Sequence, residues 1–275
     1  MRRISCGWVL ALVLGSAAVG AASHESPPPV GSWGHGVDAE AERLLLEGRI
    51  TEIRDLGTGV TRPKKLTLVL GERTTHGVWK GVDEESTSPS STRTRRDDLY
   101  FRDRWQHEVA AYRLDRLLGQ SFVPPTVARE LEGHPGSLQQ WVDDAFTERQ
   151  RVEQGRTLTD AAAFGTASLR MRAFDALIYN VDRTQENLLI TEPGSRLWLI
   201  DHSRAFRLTR RLPALGGGGS LVVPPELLAA LRALDVEATR SALRGLLTEQ
   251  QVTGVLARRE RLLALAPEAS PAASR

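Results

Sequence analysis

Three oxygen-bearing side chains are spaced so that a short hairpin would bring them together. Two apolar runs, Leu188–Ile190 and Leu197–Ile200, flank a Pro-Gly-Ser turn signal, which predicts an antiparallel hairpin. If the last residue of the first run pairs with the first residue of the second, Asn187 lies opposite the end of the second run. Asp201 then emerges beside Asn187 at the open end of the hairpin, and Asp182 lies in the loop just before it.

This set of side chains suits phosphoryl transfer. Asp182 would orient and deprotonate an acceptor hydroxyl, while the amide oxygen of Asn187 and the carboxylate of Asp201 would hold Mg²⁺ against the phosphates of ATP. The alternative is a surface hairpin with ordinary polar ends, which is the commoner meaning of a lone Asp-x-x-x-x-Asn pattern. The elements around the hairpin must therefore decide between the two interpretations.

The sequence Asp182-Arg183-x-x-x-Asn187, with Asp201 after a hairpin, resembles the protein-kinase-like superfamily. The resemblance is to its atypical members, related to phosphatidylinositol 3/4-kinases, HipA-type bacterial kinases and secretory-pathway kinases, and it covers roughly residues 48–206. It implies an α+β, two-lobed fold with a β-rich small lobe that carries one helix and an α-rich large lobe. It also implies the use of ATP and Mg²⁺, catalytic roles for Asp182 and Arg183, and metal binding by Asn187 and Asp201.

The region after residue 48 is typical of the small lobe that this resemblance requires. Two alternating segments, Arg49–Asp55 and Lys65–Leu70, flank Gly57 and Gly59, which would let backbone amides approach phosphates. Glycines between strands more often only turn the chain, so that alternative stays open. A third strand, Gly77–Lys80, places Val78 and Lys80 on one face. Val78 would then be an apolar roof for adenine and Lys80 a cation for the phosphates, as in the strand-three lysine of kinases.

A helix with an acidic residue on its apolar face follows a polar insert, residues 82–98, that is expected to be a loop. Asp103 is the predicted N-cap, and apolar residues recur at helical spacing from Trp105 to Leu117. Glu108 lies on this stripe, where a charge is costly unless it is paired. Lys80 is the partner that the resemblance implies. The alternative is a glutamate at the margin of the stripe that reaches solvent.

The chain then forms two more predicted strands and an α-rich region. In the resemblance, strands at Thr126–Glu130 and Ser137–Trp141 end the small lobe, and Gln140 and Val142 belong to the hinge whose backbone would meet adenine. Further helices are predicted at Asp38–Glu47, from the Thr157/Asp160 cap to Tyr179, and after Pro225, Asp235 and the Thr248/Gln251 capping box.

The N-terminus predicts export. Arg2 and Arg3 precede an apolar run too short for a comfortable membrane span, and small residues follow it, so residues 1–23 are interpreted as a signal peptide and 24–37 as a flexible leader. Beyond the signal the chain has no cysteine, which excludes disulfides, thiol nucleophiles and Cys-ligated zinc. The net charge of +2 falls to zero once Arg2 and Arg3 are removed, so nothing favours nucleic-acid or anionic-membrane binding.

The predicted domain boundaries are 38–142 for the small lobe, 143–265 for the large lobe and 266–275 for a disordered tail. Val181, Thr184 and His202-Ser203 depart from the kinase pattern. The sequence thus predicts an exported, atypical Mg-ATP phosphotransferase acting on a hydroxyl of a protein or a small molecule. Two alternatives stay open: a pseudokinase that is a nucleotide-binding or scaffold module, and an enzyme of the same fold that transfers AMP.

Overall fold

The computed structural model describes residues 37–57, 62–86, 101–214 and 220–266. Its elements in chain order are α1 (Val37–Glu47), β1 (Arg49–Asp55), β2 (Lys64–Leu70), β3 (Arg73–Lys80), β4 (Asp83–Ser86), β5 (Phe101–Arg104), α2 (Trp105–Leu117), β6 (Thr126–Ala128), β7 (Ser137–Gln140), β8 (Phe146–Thr147), α3 (Glu148–Glu153), α4 (Ala161–Ile178), β9 (Leu188–Thr191), β10 (Arg196–Leu199), α5 (Pro225–Ala233), α6 (Val236–Leu243) and α7 (Glu249–Leu263). The signal peptide, nearly all of the leader, Gly59, most of the 82–98 insert and the tail after residue 266 lie outside the described residues.

A five-stranded sheet in the order β1-β2-β3-β7-β6 forms the small lobe, which is defined here as residues 37–142. Period-two alternation sends Leu66, Leu68, Trp79 and Leu138 to one face, where Leu45 of α1 covers them. The other face carries Val78 and Lys80 of β3 and the β2 residues between the buried leucines. The sheet therefore has one apolar face under α1 and one face that is turned toward the large lobe.

Helix α2 is buried on nearly all sides and joins the two lobes. It packs against the small-lobe sheet and against α6 of the large lobe. Asp103 is not its N-cap, which corrects the sequence prediction: the cap position is Arg104, no side chain caps the helix, and Asp103 lies in β5. The start of the insert is also not loop, because β4 lies within it and pairs with β5 as an antiparallel ribbon. Strand β5 thus runs directly into α2, and the Asp103 carboxylate accepts a hydrogen bond from Arg204 instead of capping the helix.

The large lobe, residues 143–266, packs helices α4 to α7 and the sheet β10-β9-β8 around one apolar core, to which α3 contributes no buried residue. The predicted hairpin register is confirmed, because Leu197 pairs with Ile190. The predicted caps at Asp235 and Thr248 are confirmed, and Asp160 caps α4, each accepting a hydrogen bond from a backbone amide of its helix. Helix α4 begins at Ala161, so Thr157 of the predicted Thr157/Asp160 cap lies outside it. Helix α3, which begins in a Thr147/Gln150 capping box, was not predicted.

In the part of the chain that the structure describes, no helix is both long and apolar enough to cross a bilayer. The architecture is α+β, with a β-rich small lobe carrying α1 and α2 and a large lobe dominated by helices. The predicted fold class is confirmed, except that α1 gives the small lobe a second helix.

Candidate active site

The loop that carries Asp182 begins where α4 ends. Tyr179 adopts a left-handed backbone conformation that stops the helix, and the Asn180 side chain accepts a hydrogen bond from the Asp182 backbone amide at 3.3 Å. The Asp182 side chain is half exposed, with 50% of its surface accessible. Asp182 is therefore presented to solvent from a loop whose backbone is held in place.

Asn187 and Asp201 lie together at the open end of the β9–β10 hairpin. The Ile200 amide donates to the Asn187 carbonyl at 3.2 Å, so Asp201 is the next residue beyond the paired position. Asp201 has φ of +63°, a left-handed conformation that non-glycine residues seldom adopt and that redirects the chain there. Among the described residues, none hydrogen-bonds the Asn187 side-chain amide, so its oxygen is available as a ligand.

Lys80 joins the small lobe to this hairpin end. Its Nζ donates to Glu108 Oε1 at 2.8 Å and to Asp201 Oδ1 at 2.8 Å. Burial by itself would lower the pKa of Lys80, but the attraction of Glu108 and Asp201 outweighs burial and raises that pKa. The structure thus brings together the lysine and glutamate that the sequence paired, and adds Asp201 as a second partner.

Glu108 is almost fully buried and uses both carboxylate oxygens. Oε1 accepts from Lys80, and Oε2 accepts from the His202 backbone amide at 2.9 Å. Burial would raise the pKa of Glu108, but Lys80 and His202 hold that pKa far below its ordinary value. The alternative of a solvent-reaching glutamate at the margin of α2 is therefore wrong.

His202 connects Glu108 to the loop that follows α4. Burial lowers the pKa of His202, so the ring is neutral at physiological pH. The Arg183 guanidinium lies 2.9 Å from Nε2, which assigns the ring proton to Nδ1, and Nδ1 faces Glu108 Oε2 at 3.5 Å. The ring also packs edge-on against Phe174, with 6.4 Å between centroids. A histidine thus gives this position both an aromatic contact and a polar link.

Arg183, which the sequence assigned to catalysis, is turned into the protein. Its guanidinium pairs with both oxygens of Asp175 at 3.0 and 2.9 Å and donates to the carbonyls of Asn187 and Ile200. These bonds tie α4, the Asp182 loop and the hairpin together. Arg183 accordingly shapes the site and does not face the cleft.

Asp175 was missed by the sequence reasoning, although a signal was present. It is buried on α4, four residues after Met171 and three before Ile178, so it lies on the apolar stripe as Glu108 does on α2. A charged residue on such a stripe needs a partner. The spacing of Asp175 on α4 therefore predicts a buried, paired carboxylate, as the spacing of Glu108 does on α2.

The region where a nucleotide base would lie is more polar than the sequence suggested. Val78 lies on the same face of β3 as Lys80, toward the cleft. The residue paired with Val78 on the neighbouring strand β2 is Lys65, whose ammonium lies 3.8 Å from the ring centroid of Trp141. The expected apolar roof is therefore only partly apolar. Gly57 follows β1 with φ of +65°, a conformation that favours glycine, at the start of the β1–β2 connection.

Gln140 and Val142, the predicted hinge residues, differ in whether the backbone amide donates a hydrogen bond to another backbone group. The Gln140 amide donates to the Pro125 carbonyl and the Trp141 amide to the His76 carbonyl, at 2.8 and 2.9 Å. No backbone carbonyl of the described residues accepts from the Val142 amide. Of the two predicted hinge residues, Val142 is thus the one whose N–H has no backbone partner among the described residues.

A further arginine reaches Asp182. Arg204 donates through Nη1 to Asp182 Oδ2 at 3.1 Å and through Nε to Asp103 Oδ2 at 2.9 Å. The sequence interpretation did not connect Arg204 with Asp182. The sequence features that could have indicated this contact are only that Arg204 lies three residues after Asp201 and belongs to a segment rich in arginines.

The donor chemistry of the site fits Mg²⁺. The Asn187 amide and the Asp201 carboxylate are hard oxygen ligands, and Mg²⁺ is usually held by few protein ligands together with substrate phosphates and water. The described residues contain no cluster of three or more His, Cys, Asp or Glu suited to a metal.

Comparison with known proteins gives a fold and no close relative. No family model matches the chain, and no curated protein matches it by sequence. The structure of the Golgi casein kinase with Mn/ADP bound is similar over 82% of this chain and 74% of that chain, with a TM-score of 0.52 at 13% identity. The chain has a protein-kinase-like fold.

Two further structures resemble this protein-kinase-like chain less closely. The hydra Fam20 with sugar covers 82% of this chain and 88% of its own, at 14% identity and a TM-score of 0.46. The Helicobacter pylori proinflammatory kinase CtkA covers 79% and 92%, at 10% identity and a TM-score of 0.46. These neighbours are all atypical members of the protein-kinase-like fold.

Proposed function

We propose that the protein is an atypical Mg-ATP phosphotransferase that acts on a hydroxyl group. The observation that carries the proposal is the position of Lys80, whose ammonium lies 2.8 Å from both the buried Glu108 carboxylate and the Asp201 carboxylate. The side-chain amide of Asn187, at the same end of the hairpin as Asp201, has no hydrogen-bond partner among the described residues. A cation and two oxygen ligands at one end of a cleft are what the phosphates of ATP and their metal require. A lysine that only stabilised the fold would not need a second carboxylate at the mouth of the cleft.

Each residue has a defined task in this proposal. Lys80 binds the phosphates of ATP and is held in place by Glu108. Asn187 and Asp201 would hold Mg²⁺, which supplies charge neutralisation at the phosphates when bound. Gly57 and Gly59 would cover the phosphates, Val78 would contact the base, and the backbone at Gln140 and Val142 would meet its edge.

Asp182 is the proposed general base. It accepts the proton of the acceptor hydroxyl while the hydroxyl oxygen bonds to the γ-phosphorus and the bond from that phosphorus to the bridging oxygen breaks. The products are a phosphorylated acceptor and ADP, with the proton left on Asp182. Arg183 keeps the Asp182 loop and the hairpin in register through Asp175.

Two variants and a control test the proposal. Asp201→Ala should abolish the thermal stabilisation of the protein by ATP that depends on Mg²⁺. Asp182→Ala should keep that stabilisation and lower phosphoryl transfer by roughly 10²–10⁴-fold, the usual contribution of a positioned base. Glu237→Gln, an exposed carboxylate on α6, should behave like the parent in both measurements.

The assay also separates the alternatives. ADP release is measured with the full chain, and mass spectrometry of the chain and of an incubated acceptor mixture identifies the group that is added. Added phosphate supports the proposal, and added AMP supports an AMP transferase. Nucleotide binding without any transfer supports the pseudokinase alternative, and Asp201→Ala that binds Mg-ATP like the parent contradicts the metal assignment.

We also propose that the protein is exported, to the periplasm or out of the cell. The support is the N-terminal pattern of Arg2 and Arg3, a short apolar run and small residues near Ser23. ATP and an unidentified hydroxyl acceptor are its proposed partners.

A further inference from the structure

Arg204 connects three parts of the molecule that a phosphotransferase must align. It lies three residues after Asp201, its Nη1 donates to Asp182 Oδ2 at 3.1 Å, and its Nε donates to Asp103 Oδ2 at 2.9 Å. Asp182 belongs to the large lobe and Asp103 to β5 of the small lobe. One guanidinium therefore spans the two lobes and ends on the proposed base.

Arg204 has a different effect on each of its two carboxylate partners, because one is buried and the other is exposed. The Asp103 side chain is only 4% accessible, and a buried carboxylate is costly unless it is paired. Asp103 is thus a fixed anchor for the arginine. The Asp182 side chain is 50% accessible, so without a partner it would sample several rotamers in water.

The contact leaves Asp182 able to act. Arg204 binds Oδ2, and no group of the described residues hydrogen-bonds Oδ1. One oxygen is held while the other stays open to an acceptor hydroxyl. This arrangement orients a base and does not cover it.

We infer that Arg204 is a positioning residue that fixes Asp182 for proton transfer and makes its position depend on the small lobe through Asp103. The inference deepens the proposed phosphotransferase function and rests on it. A planar guanidinium with several donors in a fixed fork can satisfy both carboxylates at once, which an ammonium cannot do with the same geometry. Arg204→Lys should therefore keep the charge and lose most of the positioning.

The main test is a double variant, because removing Arg204 alone would leave Asp103 buried and unpaired. Arg204→Met with Asp103→Asn removes both charges and keeps similar volumes. We expect kcat for ADP release from Mg-ATP, with the chain itself or water as acceptor, to fall roughly tenfold to a hundredfold, the cost of a misplaced catalytic group. The KM for Mg-ATP should stay within about twofold, because no contact of the nucleotide is changed.

Two further measurements separate positioning from a general structural effect. In an Asp182→Asn background, the double variant should cause no additional loss of kcat, since the group that it positions is already gone. Millimolar guanidinium, far below denaturing concentrations, should partly restore kcat to Arg204→Ala. Arg210→Met, an exposed arginine of the same segment, is the matched control and should match the parent.

The outcomes distinguish the two proposals. A parent that binds no Mg-ATP and releases no ADP overturns the proposed function, and the inference about Arg204 falls with it. An active parent whose double variant keeps the parental kcat overturns the inference alone. The inference is overturned as well if the double variant loses as much activity in the Asp182→Asn background as it does in the parent.

Discussion

Replacing Glu108 by glutamine tests whether the buried ion pair holds the site together. The side chain keeps its size, but its single amide oxygen cannot serve both Lys80 and the His202 amide, which now bind separate carboxylate oxygens at 2.8 and 2.9 Å. Whichever way the amide turns, its NH₂ group faces a donor. Removing one partner of a buried pair usually costs about 3–5 kcal/mol. Lys80 retains Asp201, so we expect the lower end, about 3 kcal/mol.

The assay for Glu108→Gln is thermal unfolding followed by circular dichroism, with and without Mg-ATP. A loss of about 3 kcal/mol should lower Tm by roughly 6–12 °C in a chain of this size. Mg-ATP should also stabilise the variant less than the parent, because Lys80 is left to pair with Asp201, the proposed metal ligand.

The matched control for this prediction is another lysine–glutamate pair of the same lobe. Glu132→Gln breaks the pair between Lys64 and Glu132, in which Glu132 is 61% accessible and the two atoms are 3.3 Å apart. An exposed pair contributes at most about 1 kcal/mol, so Tm should move by no more than about 4 °C. Equal shifts in Tm for Glu108→Gln and Glu132→Gln would refute the reasoning from burial.

Three other predictions concern the supports of the site and the N-terminus. Asp175→Asn should lower both Mg-ATP binding and phosphoryl transfer, because Arg183 loses its paired carboxylate. A circular dichroism melt and a Mg-ATP titration check this prediction, and parental values in both measurements would contradict it. Burial lowers the pKa of His107 from 6.5 to about 4, so between these pH values the unfolded chain binds a proton that the folded chain does not. The free energy of unfolding should therefore fall as pH drops from about 6.5 to about 4, by roughly 3 kcal/mol in all, and His107→Gln should flatten this dependence in urea titrations. N-terminal sequencing of the expressed protein should find a mature end near Ser23 or His24 outside the cytoplasm, and an uncleaved cytosolic chain would refute export.

The sequence by itself determined the elements whose residues repeat locally. The hairpin register followed from two apolar runs around a turn, since a slip by one residue would move every side chain to the other face. Val78 and Lys80 share a face by strand alternation, and Glu108 lies on the buried stripe of α2 by helical spacing. A charge on an apolar stripe needs a partner, which is why Lys80 and Glu108 could be paired from the sequence.

Only the tertiary structure decided how Asp182, the proposed base, and its loop are held. Arg204 meets Asp103 across 101 positions and Asp182 across 22, and no local period relates such distant residues. The sequence interpretation made Asp103 a helix cap, because a short polar side chain before a helix usually is one. It also gave Arg183 a catalytic role. In the fold, Asp103 of β5 and Asp175 of α4 are buried carboxylates that must be paired, and they pair with Arg204 and Arg183.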